Sequence, residues 1–236
     1  MKAQLDLFPF PVSVRRSSRA RRMAIHVEAM GQVELVLPKR ASEALGIAFL
    51  AERQDWIIQI LKKQESAVRV MPVTELKNGA SLPFFGDTLL LRVSIESDRT
   101  RSFVEEKSGE LIAHIPETSK LRLAVSRFYI AQSKQYFIGQ SHEYGQIIGK
   151  NIPRVRVIDM KTQWGSCNHR THTLTFNWRL ALAPEHVARY VTAHEVAHII
   201  HANHSARFWK AVAQLNPNYA SSRAWLKQYG GSLVIK

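Results

Sequence analysis

His194-Glu195-Val196-Ala197-His198, with His204 six residues further on, is the one stretch of this 236-residue chain in which several chemically potent side chains share a strict spacing. In an α-helix residues i and i+4 lie on one face, so both imidazoles reach one point while the intervening carboxylate stands beside it. The pattern predicts a zinc site with hydrolytic chemistry rather than histidines satisfied in a helical core. The surrounding helix, read as about Pro184 to His201, carries Val187, Tyr190, Val191, Val196, Ile199 and Ile200 and is expected to be largely buried. A buried carboxylate needs a partner such as a metal or a metal-activated water, which makes Glu195 the expected general base.

The third ligand follows by elimination. No Asp or Glu occurs between Glu195 and Lys236, so a downstream carboxylate ligand is excluded and a histidine must serve. His201 continues the helical stripe, but at 1.5 Å per residue it would stand about 10 Å from His194 along the axis, too far to share an ion. His204 is the better choice. Asn203 tolerates the left-handed conformation that ends helices, so the chain is expected to turn there, with Ser205 as N-cap of a helix from Ala206 to Leu215. The expected metal ligands are thus His194, His198 and His204, and His201 is a flanking residue.

Outward from this stretch, His172 to Trp178 alternates as a strand expected to pack against the histidine helix. It is the candidate for pairing main chain to main chain with an extended peptide. Trp164-Gly165-Ser166-Cys167 is expected near the cleft, with Gly165 allowing close backbone approach. Cys167 reads as inert packing rather than a nucleophile. Arg207 and Tyr219 are the available donors for a developing oxyanion.

The same residues carry a resemblance. From Trp164-Gly165-Ser166-Cys167, through Phe176-Asn177-Trp178-Arg179-Leu180 and Ala183-Pro184, to the histidine motif and Asn203-His204-Ser205-Ala206-Arg207-Phe208-Trp209, the chain resembles the YgjP-like, SprT-related zinc metallopeptidases. Pro217-Asn218-Tyr219 and Trp225-Leu226 extend the match. Arg19-Ala20-Arg21-Arg22, Trp56-Ile57 and Phe85-Gly86 match more loosely. The resemblance implies a zincin-like, HExxH-type fold with His194, His198 and His204 as zinc ligands and Glu195 as base; it names no substrate, and a polypeptide is the expected partner of the hydrolytic site. Kinship with SprT-like proteases that act on DNA-bound proteins raises nucleic acid as a further partner. The metzincins share the histidine spacing, but His201 stands where their glycine is required and no methionine follows the motif.

Composition frames the site. The chain is 45% hydrophobic and 22% charged, ordinary for a globular protein, with a formal charge of +14. Residues 151–236 hold Asp159, Glu185 and Glu195 as their only acids, so the site is expected in a positive field that favours polyanions or acidic peptides. A non-catalytic, zinc-stabilised basic adaptor for nucleic acid or protein is the alternative reading. The retained Glu195 argues against it, because a structural site has no use for that carboxylate. One cysteine precludes an intrachain disulfide and fits the cytoplasm, and no apolar run approaches a membrane span.

Along the chain, strands are expected at Met23–Glu28 and Gln32–Leu37, joined as a hairpin at Ala29-Met30-Gly31. One helix is expected over Glu43–Gln64, with Leu45, Phe49, Trp56, Ile57, Ile60 and Leu61 facing the core. Further strands are read at Ser81–Phe85, Thr88–Ile95, Arg101–Glu106 and Glu110–Ile115, the last two joined at Ser108-Gly109. A long helix from about Ser119 to Ile148 leads to strands near Arg154–Met160 and Lys161–Ser166. The expectation is an α+β protein, with a β-rich N-terminal region over 1–117 and a zincin-like catalytic part over 118–236.

Overall fold

The computed structural model describes residue 5 and residues 8–27, 32–70 and 75–235, without the side chains of 63–70. The chain is α+β and divides into two compact units, one formed by Met1–Val73 with Gln228–Ser232 and the other by Thr74–Lys227 with Leu233–Lys236.

In the first unit, β1 (Val12–Ser17), β2 (Ala24–Val27) and β3 (Val33–Pro38) form a sheet in the order β1-β3-β2, with β1 parallel and β2 antiparallel to β3. The two later strands were expected. β1 was not, because only Val12 and Val14 alternate before a polar run. The hairpin turn at 29–31 lies outside the described residues. Phe10, Val33, Leu35, Leu37, Leu50 and Ile57 make the core.

The single helix expected over Glu43–Gln64 is two, α1 (Glu43–Ala51) and α2 (Gln54–Val70). The break at Glu52-Arg53 resets the helical phase. α1 buries Gly46 and Leu50, while α2 buries Ile57. Leu45 is 61% and Trp56 47% exposed, so these two leave the core stripe in which the uninterrupted periodicity placed them.

The second unit opens with a four-stranded sheet in the order β4-β5-β7-β6, from β4 (Ser81–Phe84), β5 (Asp87–Ile95), β6 (Phe103–Lys107) and β7 (Glu110–Ile115). Two hairpins are joined through the parallel β5 and β7. Ser108 and Gly109, at φ 52° and 81°, make the two-residue turn of the second hairpin, as their sequence suggested. α3 (Leu121–Ile147) follows a short 3-10 turn and packs on this sheet. The Tyr129 hydroxyl donates to the Pro83 carbonyl at 2.6 Å, and the Phe85 and Tyr136 rings stack 4.2 Å apart.

β8 (Arg154–Ile158), β9 (Gly165–Asn168) and β10 (Thr173–Asn177) then form a sheet in the order β8-β10-β9. This overturns one expectation. β10, the strand proposed to offer a free edge to a peptide, is central, parallel to β8 and antiparallel to β9. Its main-chain groups are taken on both sides, and Leu174 and Phe176 are fully buried. β9 is the edge. The Asn177 side chain holds the segment entering β9 by donating to the Met160 and Gln163 carbonyls at 2.8 and 3.2 Å. α4 (Glu185–Ala197), α5 (Ala206–Leu215) and, as far as Lys227, α6 (Tyr219–Tyr229) complete the unit. Phe137, Leu174, Phe176, Val191, Val196 and Phe208 anchor a continuous core through it. Among the described residues no helix is long and apolar enough to cross a membrane.

Candidate metal centre

α4 carries His194 and Glu195 in its last turn and ends one residue before the second histidine. His198 is the C-cap, with φ −65° and ψ −19°, and its amide still reaches the His194 carbonyl at 3.2 Å. The i, i+4 geometry of the two rings therefore survives the helix end. Beyond it the chain tightens, with the Ile199 amide on the Val196 carbonyl (3.0 Å) and the Ile200 amide on the Ala197 carbonyl (3.2 Å). Asn203 does not take the left-handed conformation expected of it, since the only non-glycine residues at positive φ among those described are Phe85, Ser108 and His172. The reversal is instead made by this tight turn and by Ser205, extended at φ −68° and ψ 172°, whose hydroxyl accepts the Phe208 amide as N-cap of α5. His204 is thereby fixed one residue before a capped helix.

The turn brings His204 back over α4. Its Nε2 lies 3.1 Å from that of His194, and His194, His198 and His204 each offer a nitrogen within 4.8 Å of the other two. Two nitrogens held by one tetrahedral zinc at about 2.0–2.1 Å stand about 3.3 Å apart, so the donor set fits an ion. His198 Nδ1 lies 3.0 Å from the His201 carbonyl, to which it can only donate, and this leaves the Nε2 lone pair of His198 for a metal. His201 itself stays outside the cluster and acts through its backbone. His194 Nδ1 is buried with no hydrogen-bond partner among the described residues.

Electrostatics agree with that fit. Burial, then the neighbouring His198 and His204 and the charge of Arg223, push His194 down to about 3, so its imidazole is neutral at physiological pH. Burial also lowers His198. Glu195 is 5% exposed and makes no hydrogen bond to a described residue, and in the protein alone burial pushes it up to about 8. A carboxylate kept this dry is poised to take a proton, or to be drawn into its charged form by a cation next to it. Cys167, on β9, is pushed up to about 12 by burial and by the charge of Glu195, which keeps it a thiol and removes it as a nucleophile.

Two participants escaped the sequence reading. Phe208, fully buried, lies under all three rings, with centroids 4.9, 4.5 and 4.7 Å from those of His194, His198 and His204. Its sequence signal was its place one helical turn after His204. The second is Arg223. Tyr219 stacks on Trp209 at 5.4 Å, and Arg223, one turn further along α6, lies over the same indole at 4.7 Å. Trp209 in turn is 5.9 Å from both His194 and His204. Arg223 is the arginine whose charge acts on His194. Arg207 lines an open concavity of about 550 Å³ with Ile200 to Asn203 and Ser205.

With this geometry in hand, the comparisons are specific. The family model described as YgjP-like, metallopeptidase domain matches residues 21–229. Among solved structures, the metallopeptidase zymogen abylysin of Pyrococcus abyssi is similar at 23% identity over 39% of this chain and 93% of its own, with a TM-score of 0.35, too low to carry an argument. No curated protein matches.

Proposed function

The chain belongs to the YgjP-like metallopeptidase domain family, and from that premise we propose that it is a zinc-dependent peptidase in which His194, His198 and His204 hold the ion and Glu195 is the general base. The observation that carries this reading is the convergence of three imidazole nitrogens within 4.8 Å next to a buried carboxylate that has no protein hydrogen bond among the described residues. A zinc ion at that point supplies Lewis acidity, which sharpens water as a nucleophile and polarises a peptide carbonyl.

The protein supplies the rest. Glu195 takes the proton that water loses as its oxygen bonds to the carbonyl carbon, and returns it to the amine nitrogen as the C–N bond breaks. The His201 carbonyl and the Phe208 ring hold the histidines in register. Arg223 is the cation on the rim towards which developing negative charge is drawn. β9, as the sheet edge beside α4, replaces β10 as the element offering main-chain pairing to an extended substrate. The protonated lone thiol Cys167 fits a reducing compartment, the cytoplasm. A peptidase acts on polypeptides, and the formal charge of +14 favours acidic ones, with nucleic acid the other polyanion such a field attracts.

Zinc content and cleavage of denatured proteins test the reading together. Purified protein is expected to hold about one zinc per chain. Glu195→Gln should keep the ion and the fold but lose at least about 100-fold in rate, since an amide cannot accept the proton. Equal cleavage by both proteins would remove Glu195 from the chemistry, and a zinc-loaded chain that cleaves nothing would favour the adaptor.

A further inference from the structure

The strand β9 passes the catalytic carboxylate with an unusual lack of clearance. A Cβ placed on Gly165 would stand 2.7 Å from Glu195 Cγ, 2.7 Å from its Oε1 and 2.9 Å from its Cδ, all well inside contact distance. Residues two apart on a strand share a face, and Cys167, the next on that face, also senses the charge of Glu195. The Glu195 side chain therefore lies in the space that a side chain at 165 would fill. Gly165 does not have a positive φ, so backbone conformation is not what calls for glycine here.

The two sides of this contact differ in freedom. Gly165 is held in the ladder, paired antiparallel with Phe176, and the neighbouring Trp164 carbonyl accepts the Asn177 amide at 2.9 Å. Phe176 is fully buried and stacks on Phe137 at 4.4 Å. The strand cannot retreat without carrying the core with it. Glu195 is fixed only at its backbone, and with no hydrogen bond to a described residue its carboxylate takes its place from packing alone.

We propose that Gly165 is a positioning residue for Glu195: the missing side chain on the edge strand forms the seat that aims the carboxylate at the histidine cluster. This rests on the reading of Glu195 as general base. Adding one methyl group would evict the carboxylate rather than the strand. The effect falls on the chemical step, because a displacement of about 1 Å in a catalytic group is enough to lower a rate by about 100-fold. The three atoms nearest a Cβ at 165 all belong to Glu195 and none to the three imidazoles, so the added methyl bears first on the carboxylate and not on metal binding.

The test is Gly165→Ala in the full chain. It should bind zinc as the wild type does, unfold within a few degrees of it and leave KM within about threefold, while kcat falls about 100-fold. A crystal structure of the metal-free variant should show the Glu195 carboxylate moved off residue 165 with β9 in place, a readout independent of turnover. An unmoved carboxylate or an unchanged kcat in Gly165→Ala would overturn the proposal. If the wild type itself shows no hydrolysis while the variant's carboxylate is displaced, the seat stands and the peptidase reading falls.

Discussion

Phe208 touches three rings at once, and that contact orders His204 although it is exposed. A side chain on a loop would lose rotamer freedom on binding an ion, and the ring beneath it takes part of that ordering in advance. His201 illustrates the opposite case, a residue whose backbone matters and whose side chain does not. His201→Ala should therefore retain nearly full zinc occupancy, because the carbonyl that receives His198 Nδ1 is unchanged. His204→Ala should lose most of it. Elemental analysis after dialysis against a weak chelator distinguishes them, and the reverse order of loss would make His201 the third ligand.

At the scale of elements, strand pairing is reinforced by an acid-sensitive cluster remote from the metal centre. His114 on β7 lies 2.6 Å from Glu96 and 3.4 Å from Glu105, and stacks on Phe103 of β6 at 4.4 Å. Glu96, just after β5, is also bound by Arg99, and these partners, His114 first, hold its carboxyl down to about 2. A depressed carboxylate stabilises the fold fully above its unfolded value near 4.5, and that contribution drains away as pH falls towards about 2. Glu96→Gln should therefore lower the urea midpoint at neutral pH by an amount that shrinks through this window and vanishes near pH 2. A difference that stays constant with pH would show that the carboxylate charge plays no part. Ser205 works at the same scale, since its cap on α5 fixes both the start of that helix and the position of His204.

For the whole molecule, the four-stranded sheet belongs to the same compact unit as the histidines. Reading the sequence as β-rich to 117 and catalytic from 118 makes residues 118–236 a domain. The compact unit that contains the histidines begins at Thr74 and so also holds the four-stranded sheet. In that unit Tyr129 donates to Pro83, and Phe84 packs on Phe128 and Tyr129 at 5.9 Å each. Removing residues 1–117 would bare Leu121, Val125, Phe128 and Tyr129 on α3, all now buried. An exposed apolar face of that size promotes aggregation. A fragment of residues 118–236 is thus expected to be insoluble or molten by near-UV circular dichroism, whereas residues 74–236 should retain fixed tertiary structure and one zinc. A soluble, zinc-binding 118–236 fragment with native near-UV signal would support the boundary at 117.

What was legible in the sequence is what a few consecutive residues determine. The i, i+4 spacing of His194 and His198 sets their shared face whatever lies around them. Ser205 marks a helix start by its own hydroxyl, and Ser108-Gly109 marks a hairpin by backbone preference alone. The absence of any acid after Glu195 leaves only histidines as downstream ligands, and the rise of a helix then favours His204 over His201. Periodicity could not show that the helix over Glu43–Gln64 breaks at Glu52-Arg53, because both halves are good helix formers and the break follows from how each packs on its sheet. Nor could it show that β10 is central and β9 the edge, that Gly165 lies against Glu195, or that Phe208 underlies three rings. Strand order and ring contacts arise from pairings between residues distant along the chain, whose free energy depends on neighbours that local propensity does not see.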